Sequence, residues 1–95
     1  MEIQHRQQPR GGVFLAIEAG REVGEMTYGL EPGGPMVVDH TWVDPSQRGR
    51  GVARQLVDAG VAHARGEGLK IRPLCSYVVD VFRAEPSLED VVWRR

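Results

Sequence analysis

Apolar and polar residues follow a strand-like pattern over the first half of the chain. One short run is almost wholly apolar, and the second alternates so that Met26, Tyr28 and Leu30 share one face. The third run is rich in β-branched and aromatic residues. Because Gly- and Pro-rich turns separate these runs, they predict three strands in an antiparallel meander, at residues 12–18, 22–31 and 35–43.

The period of the pattern becomes helical from Gly51, and Gly66 and Gly68 end that helix. Its apolar stripe is Val52, Leu56, Val57, Val61 and Ala64. A fourth strand at residues 69–74 is expected to pair in parallel with the third, because a helix connects the two strands. A second helix is predicted at residues 76–84, before Pro86 interrupts it. The pattern therefore predicts a β-β-β-α-β-α order, an α/β (α+β) domain with a small mixed, mostly antiparallel sheet.

Length and charge narrow the class of protein. The 95 residues carry a formal net charge of −1, which argues against a general nucleic-acid or membrane-surface binder. They are expected to form one domain over residues 1–95, with residues 1–11 partly loose. The N-terminus lacks the apolar segment of a signal peptide, and no run approaches the roughly 20 residues of a membrane helix. A single cysteine, Cys75, indicates a reducing, cytoplasmic setting.

The stretch SQRGRGVARQL joins glycine, arginine and a helix start, which is the composition of a phosphate site. The Walker string is absent, and an arginine replaces the third glycine of the dinucleotide fingerprint. An acyl-CoA site instead takes the pattern Gln/Arg-x-x-Gly-x-Gly/Ala after a strand, and residues 48–53 match it. Gly51 lets the backbone approach an anion, and Ala53 is small enough for close helix packing. Backbone N–H groups of the first turn would bind the phosphates, with added contacts from Arg48, Arg50 or Arg54.

This motif in its strand–helix setting resembles the GCN5-related N-acetyltransferase superfamily. Asp39-His40-Thr41 and Pro73-Leu74-Cys75 narrow the resemblance to a small, single-domain subfamily of it. The resemblance implies acetyl-CoA as cofactor, with its pyrophosphate on Arg48, Gly49, Arg50, Gly51, Val52, Ala53 and Arg54. It also implies a splay between strands three and four, where the backbone of Trp42, Val43 and Asp44 meets pantetheine and polarises the thioester. The expected activity is acetyl transfer to an amine, although the N-terminal helices that usually help form the acceptor site are not recognised.

Two side chains could take part in the transfer. By alternation His40 shares a face with Val38 and Trp42, an apolar setting in which a neutral imidazole could take a proton from an ammonium acceptor. A histidine on a strand can equally be structural. Cys75 precedes a helix, which favours a thiolate. With His40 expected beside it, Cys75 could accept the acetyl group, or it could only line the pocket while transfer is direct.

Other interpretations remain open at this point. A non-catalytic acyl-CoA-binding or sensing module would need the same phosphate loop without a defined acceptor site. An RNA contact through the Arg-Gly run would need a basic face and stacking aromatic residues, which a chain with 6% aromatic residues scarcely offers. Tyr77 is interpreted as a helix-packing residue. No metal site is predicted, and no motif identifies the acceptor amine or the oligomeric state.

Overall fold

The computed structural model describes residues 1–94 of the chain. Four strands come first, then two helices that flank a short fifth strand. Two 3-10 helices, Pro45–Gln47 and Pro86–Val91, complete the order. The strands are β1 (Glu2–Gln8), β2 (Gly11–Glu18), β3 (Arg21–Leu30), β4 (Met36–Val43) and β5 (Ile71–Pro73), and the helices are α1 (Val52–Glu67) and α2 (Ser76–Ala84).

The strands form one sheet in the order β1-β2-β3-β4-β5. The first four strands pair antiparallel, and β4 pairs with β5 in parallel. The predicted meander and the predicted parallel crossover are therefore both confirmed. The result is an α+β fold whose five-stranded mixed sheet is mostly antiparallel.

The strand β1 was not predicted, because residues 1–11 were expected to be partly loose. Its sequence EIQHRQQ is almost wholly polar and carries no strand signal of its own. The register from Glu2 with Ile17 to Gln8 with Gly11 supplies the missing stabilisation, because its backbone groups pair with those of β2. The ring of His5 also stacks on Phe14 with centroids 4.1 Å apart. The observed order is thus β-β-β-β-α-β-α.

One hydrophobic core joins both helices to the sheet. Gly60 of α1 faces the ends of Met26, Met36 and Phe14, so that the helix lies close against the strands. The predicted apolar stripe of α1 is buried, each side chain being at most 3% exposed. Burial of a large aliphatic side chain stabilises the fold by about 1.5–3 kcal/mol. The core thus holds the N-terminus of α1 at a constant place beside the end of β4.

The helix ends are where the glycine and proline signals predict them. α1 ends at Gly68, which adopts φ 68° and donates its N–H to the carbonyl groups of Ala64 and Arg65. α2 spans Ser76–Ala84 as predicted, and the chain then turns into the 3-10 helix that begins at Pro86. Within residues 1–94, no helix is both long and apolar enough to cross a bilayer.

Candidate functional site

The loop between β4 and α1 is shaped by Asp44 and Pro45. The Asp44 carboxylate accepts hydrogen bonds from the backbone N–H of Ser46 at 2.9 Å and from its hydroxyl at 2.8 Å. The backbone hydrogen bond from Ser46 is the main reason that the pKa of Asp44 lies below its usual value. Pro45 opens the 3-10 helix, and Gln47 closes it by donating its N–H to the Asp44 carbonyl at 2.9 Å. The loop therefore enters α1 along a defined path.

Two glycines with left-handed backbone form the last part of this loop. Gly49 has φ 80° and Gly51 has φ 74°. A Cβ built at either position has no described atom within 4 Å, so the space above both glycines is open. Gly51 is also the N-cap of α1, and within the described chain no side chain caps the helix and no acid lies in its first turn. Uncapped N–H groups and the positive end of the helix dipole thus face open space, as an anion site requires.

A cavity of about 230 Å³ lies at this helix start. Among residues 1–94, none of the side chains that line it is acidic, which suits a phosphate ligand. Seven of the ten predicted cofactor residues line it: Val43, Arg48, Gly49, Gly51, Val52, Ala53 and Arg54. Trp42, Asp44 and Arg50 are not part of its lining.

Gln47 and Tyr77 also line this cavity, and the sequence analysis did not assign them to the site. Position alone could have pointed to Gln47, which directly precedes the phosphate motif. Tyr77 was interpreted as a packing residue, but it is 36% exposed and faces the cavity from the first turn of α2. A larger cavity of about 600 Å³ lies near Glu31 and Glu67, whose carboxylates disfavour an anion.

The arginines of the motif differ in how far their charge is already paired. Arg54 donates from Nε to Asp58 at 2.9 Å and from an Nη atom to Glu85 at 3.1 Å. The hydrogen bond to Asp58, followed by that to Glu85, raises the pKa of Arg54. Two carboxylates therefore hold Arg54 at the wall of the cavity. Arg48 also lines the cavity, whereas Arg50 is exposed outside it.

The end of β4 offers a backbone edge toward the cavity. The ladder with β5 begins at Met36 and ends where Val38 faces Pro73. Asp44 donates its N–H to the Val23 carbonyl of β3 at 2.8 Å, so this group is engaged inside the sheet. Since neighbouring residues of a strand point their backbone groups to alternate sides, the Val43 N–H points away from β3. Val43 is therefore the residue of the predicted backbone set whose N–H faces the side where β5 has ended.

A β-bulge in β4 changes the position of His40. Thr27 pairs with His40 and the next residue of β3, Tyr28, pairs with Val38, so Asp39 is the extra residue. One extra residue reverses the alternation of side chains beyond it. The expectation that His40 shares the apolar face of Val38 is therefore wrong: Val38 is buried, and the His40 side chain is 54% exposed.

The surroundings of His40 are polar rather than apolar. Its Nε2 atom lies 3.6 Å from the carboxylate of Glu25 on β3. Trp42, two residues further along β4 and on the same face, is 42% exposed. An imidazole that is more than half exposed, with a carboxylate nearby, is accessible to a solute.

Cys75 lies on the other face of β4, beside Thr41. The Thr41 hydroxyl oxygen and the Cys75 sulfur are 3.2 Å apart, and Cys75 is the N-cap residue of α2. Burial raises the pKa of the thiol, but hydrogen bonds from the Thr41 hydroxyl and from the N–H groups of Val78 and Tyr77 outweigh it, so the net pKa is below its usual value. Because His40 and Thr41 are consecutive in the strand, the two predicted catalytic side chains lie on opposite faces of β4.

The comparisons with known proteins agree with this geometry. The sequence model of the family described as GCN5-related N-acetyl-transferase matches residues 13–91. The chain belongs to this family. The match includes β4, the loop that precedes α1, α1 itself and Cys75, whereas β1 lies before it. A comparison with curated proteins gives no match.

Solved structures show the same fold. A GCN5-like protein of Staphylococcus aureus superposes with a TM-score of 0.73 and 29% identity, covering 97% of this chain and 89% of that one. An aminoglycoside N-acetyltransferase in complex with CoA gives a TM-score of 0.65 at 20% identity, over 93% of this chain and 77% of that one. A Bacillus anthracis protein in complex with acetyl coenzyme A gives 0.64 at 15% identity, over 81% of this chain and 46% of that one.

Proposed function

We propose that the chain is an acetyl-CoA-dependent N-acetyltransferase that acts on an amine acceptor. The observation that supports this most is the open cavity at the start of α1. There the left-handed glycines Gly49 and Gly51 and an uncapped helix N-terminus adjoin the free edge of β4. Family membership and the CoA-bound structural relatives point the same way. The predicted splay between β4 and β5 is part of this proposal, at the place where their ladder ends after three residue pairs.

The residues of the cavity fit the chemistry of the cofactor. Acetyl-CoA supplies an acetyl group activated as a thioester. The backbone N–H groups of residues 48–53 would bind its pyrophosphate, helped by the dipole of α1. Arg48 would add a charge-assisted contact, since within residues 1–94 no carboxylate pairs with it as Asp58 and Glu85 pair with Arg54.

The end of β4 would serve the transfer itself. The Val43 N–H is the donor that would stabilise negative charge on the acyl oxygen. His40, whose Nε2 lies 3.6 Å from the Glu25 carboxylate, would accept the proton that an ammonium acceptor must lose before its nitrogen can attack. The attack forms the C–N bond and breaks the thioester C–S bond, and CoA would leave as a thiolate that takes up the second proton of the amine nitrogen. Holding the amine and the acyl group together accounts for much of the expected rate enhancement. The Asp44 N–H already donates to the Val23 carbonyl, so it is not free to bind the acyl oxygen. Asp44 and Trp42 would instead shape this end of the strand.

Cys75 has two possible roles in this scheme. Its hydrogen bond to Thr41 and its place at the start of α2 favour a thiolate, which could accept the acetyl group before the amine does. Alternatively, Cys75 lines the pocket and transfer is direct. The separation of His40 and Cys75 by the strand favours direct transfer, in which the thiol and the imidazole need not meet.

The second candidate is a non-catalytic acyl-CoA-binding or sensing module. The exposure of His40 favours it: this side chain is 54% exposed on an open face of β4, whereas a catalytic base is expected within an acceptor pocket. Such a module would bind CoA through the same phosphate loop and would leave primary amines unmodified.

Calorimetry with acetyl-CoA and CoA, followed by an acetyl-transfer assay on a panel of primary amines, tests the proposal. We expect saturable binding of both ligands, and transfer that is lost in His40→Ala while CoA still binds. His63→Ala, which changes a histidine on α1, is the matched control and should retain transfer. An acetyl group found on Cys75 by mass spectrometry, with loss of transfer in Cys75→Ala, would establish the covalent route. Binding without transfer to any amine would favour the sensing module, and no binding would refute both.

A further inference from the structure

Gln47 carries a buried hydrogen-bond acceptor that has no partner. Among the described residues, its side-chain oxygen Oε1 is the buried side-chain atom for which no hydrogen bond is formed. The backbone of Gln47 is tied down: its N–H bonds to the Asp44 carbonyl at 2.9 Å, and its carbonyl accepts the Arg50 N–H at 3.3 Å. A buried, unpaired acceptor costs about 1–3 kcal/mol, so the position requires an explanation.

The surroundings of Gln47 suggest what could satisfy this atom. Gln47 lines the cavity at the start of α1, between Val43 at the end of β4 and the phosphate loop. The rest of the loop and helix start presents hydrogen-bond donors, namely backbone N–H groups and the guanidinium of Arg48. A phosphate has no proton to donate at neutral pH, so it can pair with those donors but not with Oε1. An N–H or O–H group joined to the anion would supply the missing partner.

We propose that the Gln47 side-chain oxygen accepts a hydrogen bond from the pantetheine arm of the cofactor. Pantetheine carries a hydroxyl and two amide N–H groups next to the pyrophosphate, and Gln47 stands between the phosphate loop and the Val43 edge along which that arm would run. This inference rests on the proposed function. It makes Gln47 a specificity-determining residue, which distinguishes CoA from adenine nucleotides that share its phosphates but lack the arm.

The role implies an unusual pair of effects in one variant. Gln47→Leu removes the unpaired acceptor and keeps a side chain of similar size, so the free protein should become more stable. The same change removes a contact to CoA, so affinity for CoA should fall about three- to tenfold. A residue with a purely structural role would move stability and affinity in the same direction.

The test compares wild type, Gln47→Leu and the control Gln55→Leu, which changes an exposed glutamine of α1. Calorimetry measures affinity for CoA and for adenosine 3′-phosphate 5′-diphosphate, which keeps all three phosphates of CoA and lacks pantetheine, and urea titration measures stability. We expect Gln47→Leu alone to raise the urea midpoint and to weaken CoA, with affinity for the pantetheine-free nucleotide unchanged. Gln47→Met replaces Gln47→Leu if the latter does not fold.

Three results would overturn the inference. Unchanged CoA affinity would show that Oε1 has no partner in the complex. An equal loss for both ligands would place Gln47 at the adenine half or at the phosphates. A lower urea midpoint would show that the side chain stabilises the free protein. If wild type binds no CoA at all, the proposed function fails first, and this inference fails with it.

Discussion

The two ends of α1 allow a matched test of the phosphate site. Gly51 at the N-terminus has φ 74°, and Gly68 at the C-terminus has φ 68°. At both positions no described atom lies within 4 Å of a built Cβ, so glutamate can be introduced without a clash. The left-handed backbone costs a non-glycine residue about 1–2 kcal/mol at either end. Gly51→Glu and Gly68→Glu therefore share nearly the same strain on the same helix.

Of the two variants, Gly68→Glu should lose more stability, whereas Gly51→Glu should lose more affinity for CoA. A carboxylate at the helix N-terminus recovers about 0.3–1 kcal/mol from the dipole, and one at the C-terminus loses a similar amount. Gly68→Glu should therefore unfold at the lower temperature, each kcal/mol shifting Tm by about 4–8 °C in a domain of this size. In Gly51→Glu the carboxylate lies where the phosphate would bind. Repulsion of roughly 4 kcal/mol between unit charges about 4 Å apart should raise Kd for CoA more than a hundredfold.

Calorimetry with CoA and a thermal melt of each variant measure both effects. The expected result is that Gly51→Glu melts higher than Gly68→Glu but loses CoA, whereas Gly68→Glu binds CoA like wild type. If Gly51→Glu kept wild-type affinity, the loop would be a structural turn and not a phosphate site. If both variants lost CoA to the same degree, the loss would reflect helix stability and the reasoning from local geometry would be refuted.

Three further predictions concern Thr41, the arginines of the loop before α1, and His5 on β1. Thr41→Val removes a hydrogen bond to Cys75 and should slow alkylation of that thiol by iodoacetamide near pH 7, with a rate equal to wild type refuting the contact. Arg48→Ala should weaken CoA binding, measured by calorimetry, more than Arg54→Ala does, because two carboxylates already pair Arg54; the reverse order would contradict this. Burial, and to a smaller extent the neighbouring His63, lower the pKa of His5, so protonation of His5 favours the unfolded state. The free energy of unfolding should therefore be highest above about pH 6.5 and should fall as the pH drops toward the lowered pKa. Urea titrations should show this fall in wild type but not in His5→Phe, and an equal fall in both would show that His5 is not its cause.

Local signals predicted the elements that position the site. Residues 76–84 form α2 with the predicted bounds, and the helical stripe that begins at Val52 is buried as expected. Glycine at positions 51 and 68 marks the two ends of α1, where the backbone adopts a positive φ that glycine accepts without a steric cost. Short-range periodicity and backbone preference act within a few residues, so they can be recognised without a partner in space.

The strand β1 shows where such signals fail. Its residues are polar, and its stability comes from the ladder with β2 and from His5, which lies against Phe14 and donates to or accepts from the Tyr28 hydroxyl at 2.6 Å. These partners are distant in sequence, and nothing in residues 2–8 themselves distinguishes a strand from a loose segment. An edge strand with polar residues also resists pairing with other chains, which is a reason for its composition.

The sequence by itself determined the loop before α1: the order of arginine, glycine and alanine before an amphipathic run already predicts a glycine turn that opens directly into the helix. The tertiary structure alone decided which side chains share a face at the end of β4. A single bulge at Asp39 exposes His40 beside Glu25 and leaves Thr41 in contact with Cys75. The physical reason is that a bulge depends on the register between two strands, and register is a property of pairing that neither strand carries alone.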